Sequence, residues 1–426
     1  MSQDIATSKT AWQAAFSFKE NFKSIYQRRA SNYASIDGIR AISILLVLVY
    51  HTFLVFHLSH PTENITSMLS ELGLGWAWAW NGDKGVDVFF VMSGFLISSI
   101  LLRENSKTGK IDLKRFYWRR YLRLTPAYYF MLTVYWSMSG ANSEWIWANY
   151  LYVNNFIDYG HQAAGWTWSL AVEEQFYFIY PLILIAILKY AKSPSIVLIA
   201  LFFISFVVRI AIVLLDDTIR TTPASQVYLN DVYFNHYFTV FYDNLHTRFG
   251  SLVVGCLAAY YFHFHQEKLK HIANTKTGVL LTIVGVVLVV FFMAFPAFSI
   301  GFDQYPTLNI LYYIFNRTLF SLGIGFIIIA MLLQQHVIAN AMRAFFSLSF
   351  WYPIASLSYS LYLIHLVVMV VVIPGMINLT VTMPEQYPWS MGEILFYGFV
   401  VSSILSFTIA ALMYLFIEKP IMNLRR

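Results

Sequence analysis

Ten apolar runs of 17 to 26 residues occupy most of the chain, at 39–58, 86–102, 122–138, 168–189, 195–215, 248–264, 278–296, 309–333, 354–374 and 392–417. A helix rising 1.5 Å per residue needs about 20 predominantly apolar residues to cross the hydrocarbon of a bilayer. Backbone polar groups in lipid must also be satisfied within the protein, which a helix does by itself. The expected fold is therefore an all-α integral membrane protein, a polytopic bundle of about ten transmembrane helices. Composition agrees, since 58% of the 426 residues are hydrophobic and only 12% are charged, about half the charge of a soluble domain. That balance excludes a disordered chain, a nucleic-acid-binding module and an ordinary cytosolic protein. The single cysteine, Cys256, lies inside an apolar run, which excludes a disulfide framework and a thiolate metal site.

The positions of the cations orient the bundle. The N-terminal segment through Arg40, alternate loops and the C-terminal tail hold 23 of the 28 Lys and Arg residues, whereas the other five loops hold only Lys84, Arg220 and Arg248. By the positive-inside rule both termini are expected in the cytoplasm. Residues 1–38 contain no apolar core of a signal peptide, so the first span is expected to be retained. The division is then a cytoplasmic tail over 1–34 and a transmembrane domain over 35–426. Within the tail Trp12, Phe16, Phe18, Phe22, Ile25 and Tyr26 recur at near-helical spacing beside Lys19, Lys23, Arg28 and Arg29. Either an amphipathic helix on the membrane surface or a disordered tail would carry that pattern. Nine of the twelve tryptophans, among them Trp76, Trp80, Trp136, Trp147 and Trp168, fall near the opposite side, as an interfacial belt or as a platform for sugar rings.

An ionisable side chain at mid-bilayer costs about 2.5 to 3.5 kcal/mol on insertion scales, so each one needs a partner, a cavity or a function. Arg40 and His51 are eleven residues apart, which leaves them about 20° apart around one helix face and about 16 Å apart along it. That layout suits a ligand with an anionic head at the membrane edge and a reactive end inside, or equally a boundary Arg and a core His. Lys114, Arg115, Arg119, Arg120 and Arg123 crowd one cytoplasmic helix end, where guanidinium groups would pair with the phosphates of a nucleotide-type donor or with anionic lipid. Ser169, Glu173 and Tyr177 stand four residues apart as one polar stripe. Glu173 there either tunes a histidine base or pairs with Arg209, Arg248 or Arg317. Ser358, Tyr362 and His365 share a face of the ninth run. No histidine and carboxylate set has metal-ligand spacing, so no metal is expected. Glycine-rich phosphate loops and nucleophile elbows are absent from the sequence.

Five stretches, in this order, resemble the transmembrane acyltransferase 3 family: Ser35 to Arg40 with His51; Gly85 to Ile97; Arg119 to Pro126; Trp168 to Tyr177; and Ser358 to His365. Glu418-Lys419-Pro420 closes the chain in the family's manner. The resemblance covers about residues 35–426. It implies transfer of an acyl group, most often acetyl, from a cytoplasmic donor such as acetyl-CoA to a hydroxyl of an extracytoplasmic carbohydrate such as O-antigen, exopolysaccharide or peptidoglycan. The location implied is the plasma membrane, as in a bacterial inner membrane. Carried over by position, His51 is the catalytic base, Arg40, Arg119, Arg120 and Arg123 are donor contacts, and Ser169 and Glu173 are site residues. Asp37, Ser93, Tyr177, Tyr359, His365 and Arg248 are further candidates. The sequence is expected to work without the esterase-like domain fused to some relatives. Acyl-CoA is a substrate here, with no permanently bound cofactor, and membrane lipids are the other partners.

In the mechanism these residues suggest, the donor's phosphates sit at the arginines and its thioester reaches His51, which takes the proton of the sugar hydroxyl. Glu173 or another carboxylate would stabilise the imidazolium, and Ser93, Ser169 or Tyr359 the oxyanion. A covalent acyl relay on His51 is the variant of this scheme. The rivals from other classes are a proton-coupled secondary transporter or glycan flippase, and a membrane sensor or scaffold.

Overall fold

The structure, a computed structural model, describes residues 12–13, 15–28, 33–60, 68, 72–138 and 140–424. Arg29 and residues 1–11, 14 and 30–32 of the expected tail lie outside the described residues. Among the described residues the secondary structure is helical throughout. Ten helices have 19 residues or more: α1 Ala34–Ser59, α2 Gly85–Thr108, α3 Leu113–Ser137, α4 Trp168–Tyr190, α5 Pro194–Leu215, α6 Leu245–Phe264, α7 Lys276–Ala294, α8 Pro306–Leu333, α9 Trp351–Thr382 and α10 Met391–Met413. Each follows one of the ten apolar runs. Eight of the ten lie in segments long and apolar enough to cross a membrane. The other two are α3, which opens on a basic turn from Lys114 to Arg123, and α6, which carries His246, Arg248 and His263.

Small residues decide how closely these helices approach, because helices in lipid associate through packing more than through water expulsion. A Cβ on Gly94 of α2 would fall 2.0 Å from the carbonyl oxygen of Leu252, and one on Gly255 of α6 would fall 2.1 Å from that of Val91. Only glycine permits this contact between α2 and α6. Helix α1 packs against α2, α9 and α10 at the centre of the bundle, so it is the helix around which any interior site forms.

The two ends of the bundle differ. At the basic end a short helix, Phe18–Tyr26, buries Ile25 against Leu357 and Tyr414 and exposes Phe18, Phe22 and Tyr26. Its hydrogen bonds from Ser356 Oγ to the Ile25 carbonyl, 3.2 Å, and between Ser24 and Tyr414, 3.1 Å, tie it to the bundle. These residues therefore form a docked helix with an exposed aromatic face and not a disordered tail. At the other end, short helices between 74 and 84, 143 and 167, and 217 and 242 form a tryptophan-rich cap. The tryptophans there do not form one set. Trp76, Trp136 and Trp147 are exposed, whereas Trp80 and Trp168 are core residues. Also in this cap, Gln162 Nε2 donates to Asp243 Oδ2 at 2.7 Å, and burial pushes the Asp243 carboxyl well above the usual carboxylate range.

Candidate active site

A cavity of about 430 Å³ enters the bundle from the basic end, within the size range of small-molecule sites. Helix α1 contributes Asp37 and Arg40 to it, α2 Ser93, α3 Arg120 and Arg123, α4 Ser169, Glu173 and Tyr177, and α9 Ser358, Tyr359 and Tyr362. The sequence explains these alignments locally. The Asp112 side chain accepts from the Arg115 backbone N–H at 3.0 Å and caps α3, setting the register that turns Arg120 and Arg123 inward. On α4 the four-residue spacing of Ser169, Glu173 and Tyr177 stacks all three on the cavity face.

Several of the polar groups bond to one another while leaving the cavity open, and the buried Nε of Arg120 has no hydrogen-bond partner. Ser93 Oγ donates to Glu173 Oε1 at 2.6 Å, and the Tyr177 hydroxyl donates to Ser93 Oγ at 2.8 Å. The Arg120 guanidinium lies 4.0 Å from the centre of the Tyr177 ring, a cation–π contact that fixes a long side chain at the cavity wall. Asp37 pairs with Arg28 at 3.0 Å and with Arg40 at 3.6 Å. The Tyr359 hydroxyl donates to the Leu124 carbonyl at 2.6 Å.

Two lining residues, Glu418 and Lys419, are ones to which sequence reasoning assigned no role. Helix α10 passes into a π-helical turn, Tyr414–Glu418. The wider winding of such a turn rotates the residues C-terminal to it, and π turns recur at functional sites. Ser360 Oγ donates to Glu418 Oε2 at 2.7 Å. The signal in the sequence was a Glu-Lys pair at the end of the last apolar run.

His51 and His365 are not on the cavity wall but directly behind it. Ser169 Oγ and the Tyr362 hydroxyl, both lining the cavity, are 2.6 Å apart. The Tyr362 backbone carbonyl accepts from His365 Nδ1 at 2.7 Å, and His365 Nε2 stands 3.3 Å from His51 Nδ1. Two histidines 314 residues apart in sequence thus meet at mid-bundle. Glu173, by contrast, bonds to Ser93 and not to His51, so the imidazolium partner expected from the sequence is replaced by a second imidazole.

Two expected site residues fall elsewhere. Arg119 is exposed, because the cavity faces the 120 and 123 side of α3 and position 119 turns outward. Arg248 belongs to a closed ionic knot nearer the tryptophan-rich cap. There Arg317 pairs with Asp83, and with Asp87 at 2.8 Å, while Arg248 Nη1 lies 3.6 Å from Asp87 Oδ1. The Arg248 guanidinium packs 4.9 Å from the Trp168 ring centre and 4.8 Å from that of Tyr242, whose hydroxyl donates to Asp83 at 2.9 Å. The carboxylates paired with Arg248 and Arg317 are therefore Asp83 and Asp87, and Glu173 is not among them. Arg209 is held instead by backbone carbonyls, among them that of Thr247 at 2.9 Å.

Fold and site together define a class: a polytopic membrane protein with a ligand-sized cavity, basic at its mouth, that ends against a pair of imidazoles. The chain belongs to the acyltransferase 3 family, whose acyltransferase-domain profile matches residues 33–415. It lies in the plasma membrane as a multi-pass protein. Over 407 residues, 91% of this chain and 55% of the relative, it is 29% identical to the peptidoglycan O-acetyltransferase OatA of Listeria monocytogenes. It is 28% identical to the O-acetyltransferase OatA of Staphylococcus aureus over 426 residues, 94% of this chain and 59% of the relative. The chain thus spans somewhat more than half the length of these relatives. No solved structure matches it. The family sets the chain among acyltransferases, not among secondary transporters.

Proposed function

We propose that the protein transfers an acetyl group from cytoplasmic acetyl-CoA to a hydroxyl of a cell-envelope glycan on the far side of the membrane. The observation that carries this reading is the cavity, with Arg40, Arg120, Arg123 and Lys419 around it and the Ser169 and Tyr362 hydroxyls backed by the histidine pair. Cations at the mouth suit the phosphates of the donor. The rise of α1 from Arg40 to His51, about 16 Å, suits an extended thioester arm between them. The relatives' names, which speak of peptidoglycan and O-acetyl transfer, support a glycan acceptor. Both termini lie in the cytoplasm in this reading, with the 35–426 domain enclosing the whole route.

The step itself balances simply. The acceptor oxygen forms a bond to the thioester carbonyl carbon as its proton passes to His51. The C–S bond then breaks, and the leaving thiolate takes the proton back from His51. The Tyr362 hydroxyl donates to the Trp166 carbonyl at 2.9 Å, so Ser169, beside it, turns its hydrogen to the oxyanion, while Glu173, Ser93 and Tyr177 hold Arg120 against the donor. The test uses mass spectrometry of envelope glycans from cells carrying no protein, the native protein or His51→Ala. A mass gain of one acetyl group is expected with the native protein alone. Acetylation retained by His51→Ala at a normal membrane level would refute the assignment.

A further inference from the structure

Four atoms around the histidine pair settle where its protons are. His51 Nδ1 lies 2.9 Å from the Val47 carbonyl oxygen, and His365 Nδ1 lies 2.7 Å from the Tyr362 carbonyl oxygen. A carbonyl can only accept, so both Nδ1 atoms carry hydrogen. In the neutral form His365 then has its lone pair on Nε2, the atom that stands 3.3 Å from His51 Nδ1. The Nδ1–H of His51 is shared between Val47 and His365, and its own lone pair is left on Nε2, on the other side of the ring. The rings meet edge to face, with centroids 4.7 Å apart. His365 is fully buried while His51 is partly exposed, so of the two rings only His51 has surface to offer a substrate.

We infer that His365 is a positioning residue for His51, orienting the ring whose Nδ1 hydrogen the Val47 carbonyl already fixes, so that Nε2 is free to take the acceptor's proton, and then stabilising the imidazolium through Nδ1. The inference deepens the proposed function and rests on it. The partner of a histidine base fixes its tautomer and orientation, a role filled by a carboxylate in hydrolase triads. A neutral imidazole orients the ring without placing a fixed negative charge at mid-bilayer, where an ionised group is costly. When Nε2 gains the hydroxyl proton, the bond from His51 Nδ1–H to His365 Nε2 becomes charge-assisted, roughly twice as strong as the neutral one. The energy appears only as charge develops, which is the condition for acceleration. His365 forms and breaks no covalent bond, and the proton leaves from His51 Nε2 to the thiolate.

Gln and Met have nearly the same shape, but only Gln offers an oxygen acceptor where Nε2 stands. The full chain in lipid vesicles, assayed with acetyl-CoA and a glycan fragment, should keep kcat within about 10-fold as His365→Gln and lose about 100-fold or more as His365→Met. Donor KM and melting temperature should match in the two variants. Equal kcat in both would overturn the inference, since packing alone predicts that result. Should either variant fail to fold, ¹⁵N chemical shifts of His51 in the native protein test the hydrogen-bond direction on which the inference depends. A protonated Nδ1 is expected, and a proton on Nε2 would overturn the inference. Activity surviving His51→Ala refutes the parent reading, whereas dependence on His51 with a fully active His365→Met refutes only the role of His365.

Discussion

At the basic end, Arg40, Arg120, Arg123 and Lys419 stand around about 430 Å³ of space, and Glu173 and Glu418 beside them bond to serine hydroxyls. Toward the tryptophan-rich cap, Arg248, Arg317, Asp83 and Asp87 are all buried and pair with each other. The cavity touching Arg317 there has about 10 Å³, room for roughly one water. The lesson is that a charge inside a membrane marks a ligand site only when its neighbours leave it space; ion pairing alone does not separate the two regions, since Arg40 lies 3.6 Å from Asp37 and Arg248 3.6 Å from Asp87. Where carboxylates already fill that space, the same guanidinium holds helices together. Asp83 and Asp87 join the start of α2 to α8, and Arg248 brings in α6.

Substitutions should separate the two clusters, and the largest effect is expected in the knot. Arg317→Ala strands Asp83 as a buried unpaired carboxylate and leaves Asp87 only Arg248, 3.6 Å away; breaking a buried pair in this way typically costs about 3 to 5 kcal/mol. Loss of folded protein from the membrane is the readout, and a normal level with a normal melting temperature would dissolve the distinction. In the cavity the order reverses. Arg120→Ala should raise the donor KM by about 10-fold or more, the worth of a charge-assisted hydrogen bond, while the melting temperature changes little. Donor affinity should also fall with added salt, because the cavity mouth is open to solvent and the knot is not.

Smaller effects sharpen the boundary of each region. Asp243, beside the knot, has its carboxyl raised by burial, so folding takes up a proton. Stability therefore falls as pH rises from the ordinary carboxylate range toward the native value. Asp243→Asn should flatten that slope in thermal unfolding followed across pH, matching the native protein at low pH and exceeding its stability at neutral pH. A slope of the same size in the variant would count against the assignment. Smallest of all, Arg119→Ala should leave donor KM within about 2-fold, as a side chain in solvent would. An effect equal to that of Arg120→Ala would place Arg119 in the site after all.

The helices were legible from the apolar runs because lipid enforces length so strictly, and each long helix follows one run. The stripe of Ser169, Glu173 and Tyr177 was legible for a related reason, since spacing within one helix fixes its face. What spacing does not carry is the partner across helices. Nothing in the sequence distinguishes Glu173 from His365 as the neighbour of His51, or Glu173 from Asp83 and Asp87 as the neighbours of Arg248 and Arg317. Arg119 was misplaced because a helix end with arginines at 115, 119, 120 and 123 offers two overlapping faces, and the cap at Asp112 together with the packing of α3 selects one. Glu418 and Lys419 reach the cavity through a π turn, which disturbs the register on which such reasoning depends.

Arg40 and His51 belong to one continuous helix, Ala34–Ser59, and this makes α1 a strut of set length. Inserting a single residue between them would move His51 by about 1.5 Å and swing it through about 100°, away from His365. Deleting one would do the same in the opposite sense. The segment can therefore accept changes of side chain but not of length, and a donor with a different reach would have to be fitted by altering the walls around α1 and not α1 itself.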